Sequence, residues 1–105
     1  MKITLCGSTT FKDEFEKIQK ELALLGHLVI SVSCFGHCDS DPRITASKEM
    51  LDEIHKKKID LSDAIFIVHS EYIGDSTRKE IEYAKCRGKK IFTSLLEVPR
   101  RLESC

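Results

Sequence analysis

The chain has 105 residues, 41% hydrophobic and 32% charged, enough for one core and no more, so a single domain over residues 1–105 is expected. Lysine plus arginine and aspartate plus glutamate both number 17, which leaves no net field to attract nucleic acid or an acidic membrane. The first apolar run breaks at Gly7, too early for a signal peptide or a membrane span, and five scattered cysteines form no disulfide framework. Together these predict a reducing, cytoplasmic setting.

Residues 2–6 (Lys-Ile-Thr-Leu-Cys) read as a first strand ending in Gly7-Ser8-Thr9-Thr10. Phe11, Phe15, Ile18, Leu22 and Leu25 then follow at helical spacing. They predict an amphipathic helix capped by Thr9 or Thr10 and stopped by Gly26. The turn between them is able to offer backbone N–H groups and hydroxyls to a phosphate or sugar, which makes Gly7, Ser8 and Thr9 candidate binding residues. It matches neither of the glycine-rich nucleotide fingerprints, and any tight strand-to-helix turn also wants a glycine and a hydroxyl cap.

Residues 27–35 are rich in β-branched side chains and predict a second strand, buried as in a parallel sheet. The loop at 36–45 is long for a strand-to-helix connection, which suggests that it covers a ligand. Cys34-Phe35-Gly36-His37-Cys38-Asp39 contains zinc-ligand residue types but lacks the second spaced pair that a structural site needs. No metal is expected there; Cys34 reads as a small buried residue, and His37 and Cys38 as loop surface.

Residues 46–61 predict a second helix with Met50, Leu51, Ile54 and Leu61 facing inward. Asp52 and His55, three apart, share a side of it, and Lys56-Lys57-Lys58 reads as a solvated face. The most strand-like run, residues 64–68, follows. A glycine turn then leads into a third helix capped by Asp75 or Ser76 and ending at Gly88.

On that helix Thr77, Ile81 and Ala84 share one face; Glu80 borders it and Glu82 points away. Glu80 lies in or just past the first turn, where the helix dipole favours an ionised carboxylate able to serve as nucleophile or base. The same pattern also suits two ordinary exposed acids. Residues 90–93 predict a fourth strand, and 95–102 a short terminal helix broken by Pro99. The alternation predicts an α/β fold: a small doubly wound parallel sheet, flavodoxin- or Rossmann-like, of about four strands with helices on both faces. Ligand should sit at the carboxyl ends of the strands, where segments 7–10, 36–45 and 69–80 meet.

Leu5-Cys6-Gly7-Ser8-Thr9, Gly26-His27, Ile59-Asp60-Leu61-Ser62-Asp63-Ala64, and Gly74-Asp75-Ser76-Thr77-Arg78-Lys79-Glu80-Ile81-Glu82-Tyr83-Ala84 occur in that order. Together they resemble the nucleoside 2-deoxyribosyltransferase superfamily, most closely its short bacterial and phage branch, which is related to the 2'-deoxynucleoside 5'-phosphate N-hydrolases. The resemblance runs from Met1 to about Phe92. It implies cleavage or transfer of the N-glycosidic bond of a (deoxy)nucleoside or its 5'-monophosphate, with no cofactor and a chain that assembles as a homo-oligomer. The nucleophile is a glutamate in a Glu-x-x-x-Ala setting, here Glu80 with Ala84.

Two departures stand out. Relatives place an assisting aspartate eight residues before the Asp-Ala of the third strand, and here that position is His55. Either His55 donates the proton, or Asp52 one turn away does, or activity is lost. Arg78-Lys79 stand directly before Glu80 where the enzymes have a glycine-containing approach. The two cations either bind a phosphate and keep Glu80 ionised or obstruct the sugar pocket. Gly74, Ser76, Thr77 and Arg78 complete the candidate binding residues. The rival reading is a non-catalytic nucleotide-binding sensor of the same fold. A phosphoribohydrolase reading lacks that family's Pro-Gly-Gly-x-Gly-Thr-x-x-Glu loop.

Overall fold

In the computed structural model, which describes residues 1–35 and 40–100, β-branched and apolar runs lay down four parallel strands. These are β1 (Lys2–Cys6), β2 (Leu28–Ile30), β3 (Ala64–Ile67) and β4 (Lys90–Phe92), in the order β2-β1-β3-β4. Ile3 pairs with Val29 on one side and Ala64 on the other, and Phe66 pairs with Phe92. The chain leaves β1 in one direction to reach β2, then returns past it to β3. That reversal opens a crevice beyond the carboxyl ends of β1 and β3.

Among the described residues the α-helices are α1 (Lys12–Leu24), the short α2 (Pro42–Ala46), α3 (Lys48–Asp60) and α4 (Asp75–Cys86), of which α1, α3 and α4 pack on the sheet. Strand parity divides the core between two faces. Ile3 and Leu5 pack with Phe15 and Leu22 of α1, whereas Cys6 packs with Ile59 of α3 and Ala84 of α4. Phe15 and Leu22 are fully buried, each contributing about 1.5–3 kcal/mol. α1 stops where expected: Gly26 has a φ of 92°, and the next residue, His27, donates its N–H to the Leu22 carbonyl at 3.2 Å.

Several boundaries differ from expectation. The second strand is not a long buried one but an edge strand of three residues, with Leu28 59% exposed. Beyond it the Lys58 ammonium donates to the Ser31 carbonyl and the Ser33 hydroxyl, at 2.9 and 2.7 Å, which ties the chain to α3 instead of to β1. The second helix divides in two: Asp41 caps α2, Pro42 opens it, and α3 begins at Lys48.

The inward face of α3 is also rotated. His55 and Ile59 are buried, while Met50 and Leu61 are exposed; near its end the Lys58 carbonyl and the Thr4 and Ser62 hydroxyls lie within hydrogen-bond distance of one another, which seats α3 on β1. Ser8, not Thr9 or Thr10, caps the first turn, a 3-10 turn over Thr9–Phe11 that precedes α1. Gly74 precedes α4 without a side-chain cap, so neither Asp75 nor Ser76 plays that part. The terminal helix reduces to a 3-10 turn, Leu95–Glu97, closed by a Ser94–Glu97 capping box. Among the described residues no helix is long and apolar enough to cross a membrane.

Candidate active site

Gly7 ends β1 with a φ of 151°, and a Cβ there would lie 2.8 Å from the Val68 carbonyl oxygen. Only glycine fits, and its absent side chain lets the chain turn away tightly above β3. The turn opens onto a cleft of about 540 Å³, within the range that holds a drug-sized ligand. The cleft is lined by segments following β1, β2 and β3 together with α3, as strand-end binding requires.

Three side chains from three elements converge at its floor. Cys6 Sγ, the end of β1, lies 3.4 Å from Nε2 of His55 on α3. The same Nε2 lies 3.8 Å from Oε1 of Glu80 on α4, and one ligand-type atom from each of the three side chains lies within 4.8 Å of the others. Cys6 is fully buried and His55 nearly so, whereas the Glu80 side chain is 18% exposed toward the cleft. At the mouth, Asp52 of α3 lines the cleft and pairs with Lys48 at 2.9 Å.

Burial dominates the electrostatics. It pushes Glu80 up to about 7, helped by the Asp52 charge and opposed by the Cys6 hydrogen bond and Lys48. Burial also pushes His55 down to about 4, helped by Lys58 and opposed by Asp52 and a hydrogen bond to the Leu5 backbone. The Cys6 thiol rises well above its ordinary value, first by burial and then through Glu80. The expected ionised glutamate is therefore corrected to a poised one. Glu80 sits in the second turn of α4, beyond the strong reach of the helix dipole, and desolvation outweighs that field.

The remaining candidates divide. Gly7, Ser8, Thr9, Gly74, Ser76 and Thr77 line the cleft with Asp52, His55 and Glu80. Ser8 is engaged in capping, its hydroxyl accepting from the Thr10 N–H and donating to the Thr10 hydroxyl. Thr77 is buried, and the backbone N–H groups of the first turn of α4, whose residues Asp75, Ser76 and Thr77 line the cleft, have no helical partner within it.

Arg78 and Lys79 are exposed and outside the cleft lining, turned about 200° and about 100° around the helix from Glu80. Neither obstructs the pocket nor bears on Glu80. Glu82 is exposed on the far side. Gly36, His37, Cys38 and Asp39 of the cysteine-rich stretch lie outside the described residues; Cys34 is half-buried and lines the cleft.

A search of solved structures sets this geometry beside a 2-deoxyribosyltransferase from the psychrotolerant bacterium Bacillus psychrosaccharolyticus, described as a biocatalyst for nucleoside synthesis. The two superpose with a TM-score of 0.65 over 87% of this chain and 69% of that one, at 20% sequence identity. The chain has the fold of a 2-deoxyribosyltransferase. No family model matches the chain, and no curated protein matches it in sequence.

Two site residues escaped the sequence reading. In the sequence Cys6 reads as a strand end and as part of the Leu5-Cys6-Gly7-Ser8-Thr9 motif, with no role of its own; the signal for one is parity, since it shares the α3-facing side of β1 with Thr4. Tyr72, at the cleft edge, was placed only in a connecting loop. It is 56% exposed and packs edge-on against Phe11, whose ring stacks on His69 at 4.0 Å.

Proposed function

We propose that the cleft binds a (deoxy)nucleoside or its 5'-monophosphate and that Glu80 breaks the N-glycosidic bond by attacking the anomeric carbon. One observation carries this reading. A carboxyl group poised near pKa 7 stands at the floor of a nucleoside-sized cleft, where a sheet with the 2-deoxyribosyltransferase fold reverses direction. A reacting acid or base is most effective when its pKa lies near the working pH.

The ionised Glu80 oxygen bonds to the anomeric carbon as the carbon–nitrogen bond breaks, through an oxocarbenium-like transition state. A glycosyl ester and a free base result. A proton from solvent reaches the departing base by way of Asp52, which lines the cleft; His55, held neutral, orients Glu80. Water or a second base then displaces Glu80 from the anomeric carbon, giving hydrolysis or transfer. The N–H groups at the start of α4, with Ser76 and Thr77, hold a 5'-hydroxyl or phosphate.

A non-catalytic sensor is the second reading, favoured by His55 standing where the resemblance implies an aspartate. Free-base release from nucleosides and 5'-monophosphates, with and without an acceptor base, decides between them. Release that Glu80→Gln abolishes supports catalysis, and acceptor dependence separates transferase from hydrolase. Nucleotide binding by calorimetry without base release favours the sensor. The resemblance also implies self-association, which sedimentation velocity tests.

A further inference from the structure

We propose that Cys6, His55 and Glu80 form a site for one zinc-type divalent cation at the floor of the cleft. The cysteine-rich stretch before α2 drew attention to metals in the sequence, but the structure brings a different set together. A thiolate sulfur, an imidazole nitrogen and a carboxylate oxygen, all within 4.8 Å of one another, converge from β1, α3 and α4.

Tetrahedral bonds of about 2.0–2.3 Å place neighbouring ligand atoms about 3.3–3.8 Å apart. The observed Cys6–His55 and His55–Glu80 separations are 3.4 and 3.8 Å, so these pairs stand at coordination spacing. Coordination releases the thiol proton of Cys6 to solvent, and Nε2 of His55 supplies its lone pair.

The ligand set selects the ion. Thiolate with imidazole suits zinc, whereas magnesium and calcium take all-oxygen cages. Because Glu80 is the ligand that opens to the cleft, the fourth position faces the cavity, as in sites with three protein ligands and an exchangeable water.

Ion binding commits the Glu80 lone pair and so blocks its attack on an anomeric carbon. This consequence rests on the glycosidic reading; the binding itself does not.

The test is a titration of reduced, chelator-stripped protein with Co2+, followed by displacement with Zn2+. The expected result is one Co2+ per chain with a thiolate-to-cobalt charge-transfer band in the near ultraviolet. The band should vanish in Cys6→Ser and persist in the double variant Cys34→Ser with Cys38→Ser. Since Cys6→Ser removes a core side chain, Glu80→Gln provides the second arm: it keeps the thiol and should weaken Co2+ binding by at least about tenfold.

The site is overturned by absence of the band in wild type, by a band that survives Cys6→Ser or is lost in the double variant, or by unchanged affinity in Glu80→Gln. Base release is read separately. Its absence leaves the cobalt result standing, and failure of the cobalt titration leaves the glycosidic reading standing.

Discussion

Oε1 of Glu80 lies 3.8 Å from Nε2 of His55, an acid and a base facing each other with both neutral forms favoured. The same burial raises the one to about 7 and lowers the other to about 4. Below neutrality the pair is a carboxylic acid beside an imidazole. Above it, Glu80 carries a charge that the surrounding apolar wall does not welcome.

The two glutamates of α4 should therefore part company. Glu80→Gln is expected to lower kcat/KM for base release by about 10³-fold or more, as loss of a nucleophile does. Glu82→Gln, on the exposed far side, should stay within about twofold of wild type. Steady-state kinetics on both variants checks this.

In chelator-containing buffer, base release should rise with pH through about 7 as Glu80 ionises. The Asp52 charge helps to hold that value up, so Asp52→Asn should move the midpoint to lower pH as well as slow turnover. The pH profile of kcat/KM reports both midpoints.

Stability should record the same strain. Glu80 is raised from 4.5 to about 7 on folding, so its contribution is fully present below pH 4.5 and lost as pH rises through 7. His55 is lowered from 6.5 to about 4, so its contribution is present above pH 6.5 and lost as pH falls through 4. Between 4.5 and 6.5 the two slopes oppose. Glu80→Gln should thus stabilise the protein by about 1–3 kcal/mol at pH 8 relative to its effect at pH 5, read from urea midpoints.

Gly7→Ala is expected to cost about 1–3 kcal/mol, because alanine is strained at a φ of 151° and its Cβ would lie 2.8 Å from the Val68 carbonyl oxygen. Chemical denaturation of the variant measures the loss.

Tyr72 offers an exposed ring at the cleft edge, braced by Phe11. If a base stacks on it, Tyr72→Ala removes about 1–3 kcal/mol of binding. KM should then rise about tenfold or more with kcat little changed; an unchanged KM places the base elsewhere.

The bounds of β1, and the positions of α1, β3 and α4, were legible because each is a locally consistent run: period-two strand residues, four-and-three helical spacing, a glycine stop. The edge character of β2 was not, since it depends on Lys58, more than two dozen residues away, capturing the Ser31 carbonyl. The buried face of α3 was misread for a related reason. Its centre is His55, which a hydrophobicity pattern assigns to the flank, and which meets Cys6 of β1 and Glu80 of α4 there. The placement of Glu80 toward the sheet could be read from helix geometry, but its protonation could not, because desolvation belongs to the assembled cleft.

Cys6 and His55 are separated by 49 residues in the chain and meet only through the sheet. No partly folded fragment lacking β1, α3 or α4 contains the Cys6–His55–Glu80 cluster. Its chemistry, whatever ligand it takes, needs all three elements in place, so spectroscopic signals from these three side chains would report when β1, α3 and α4 have docked together.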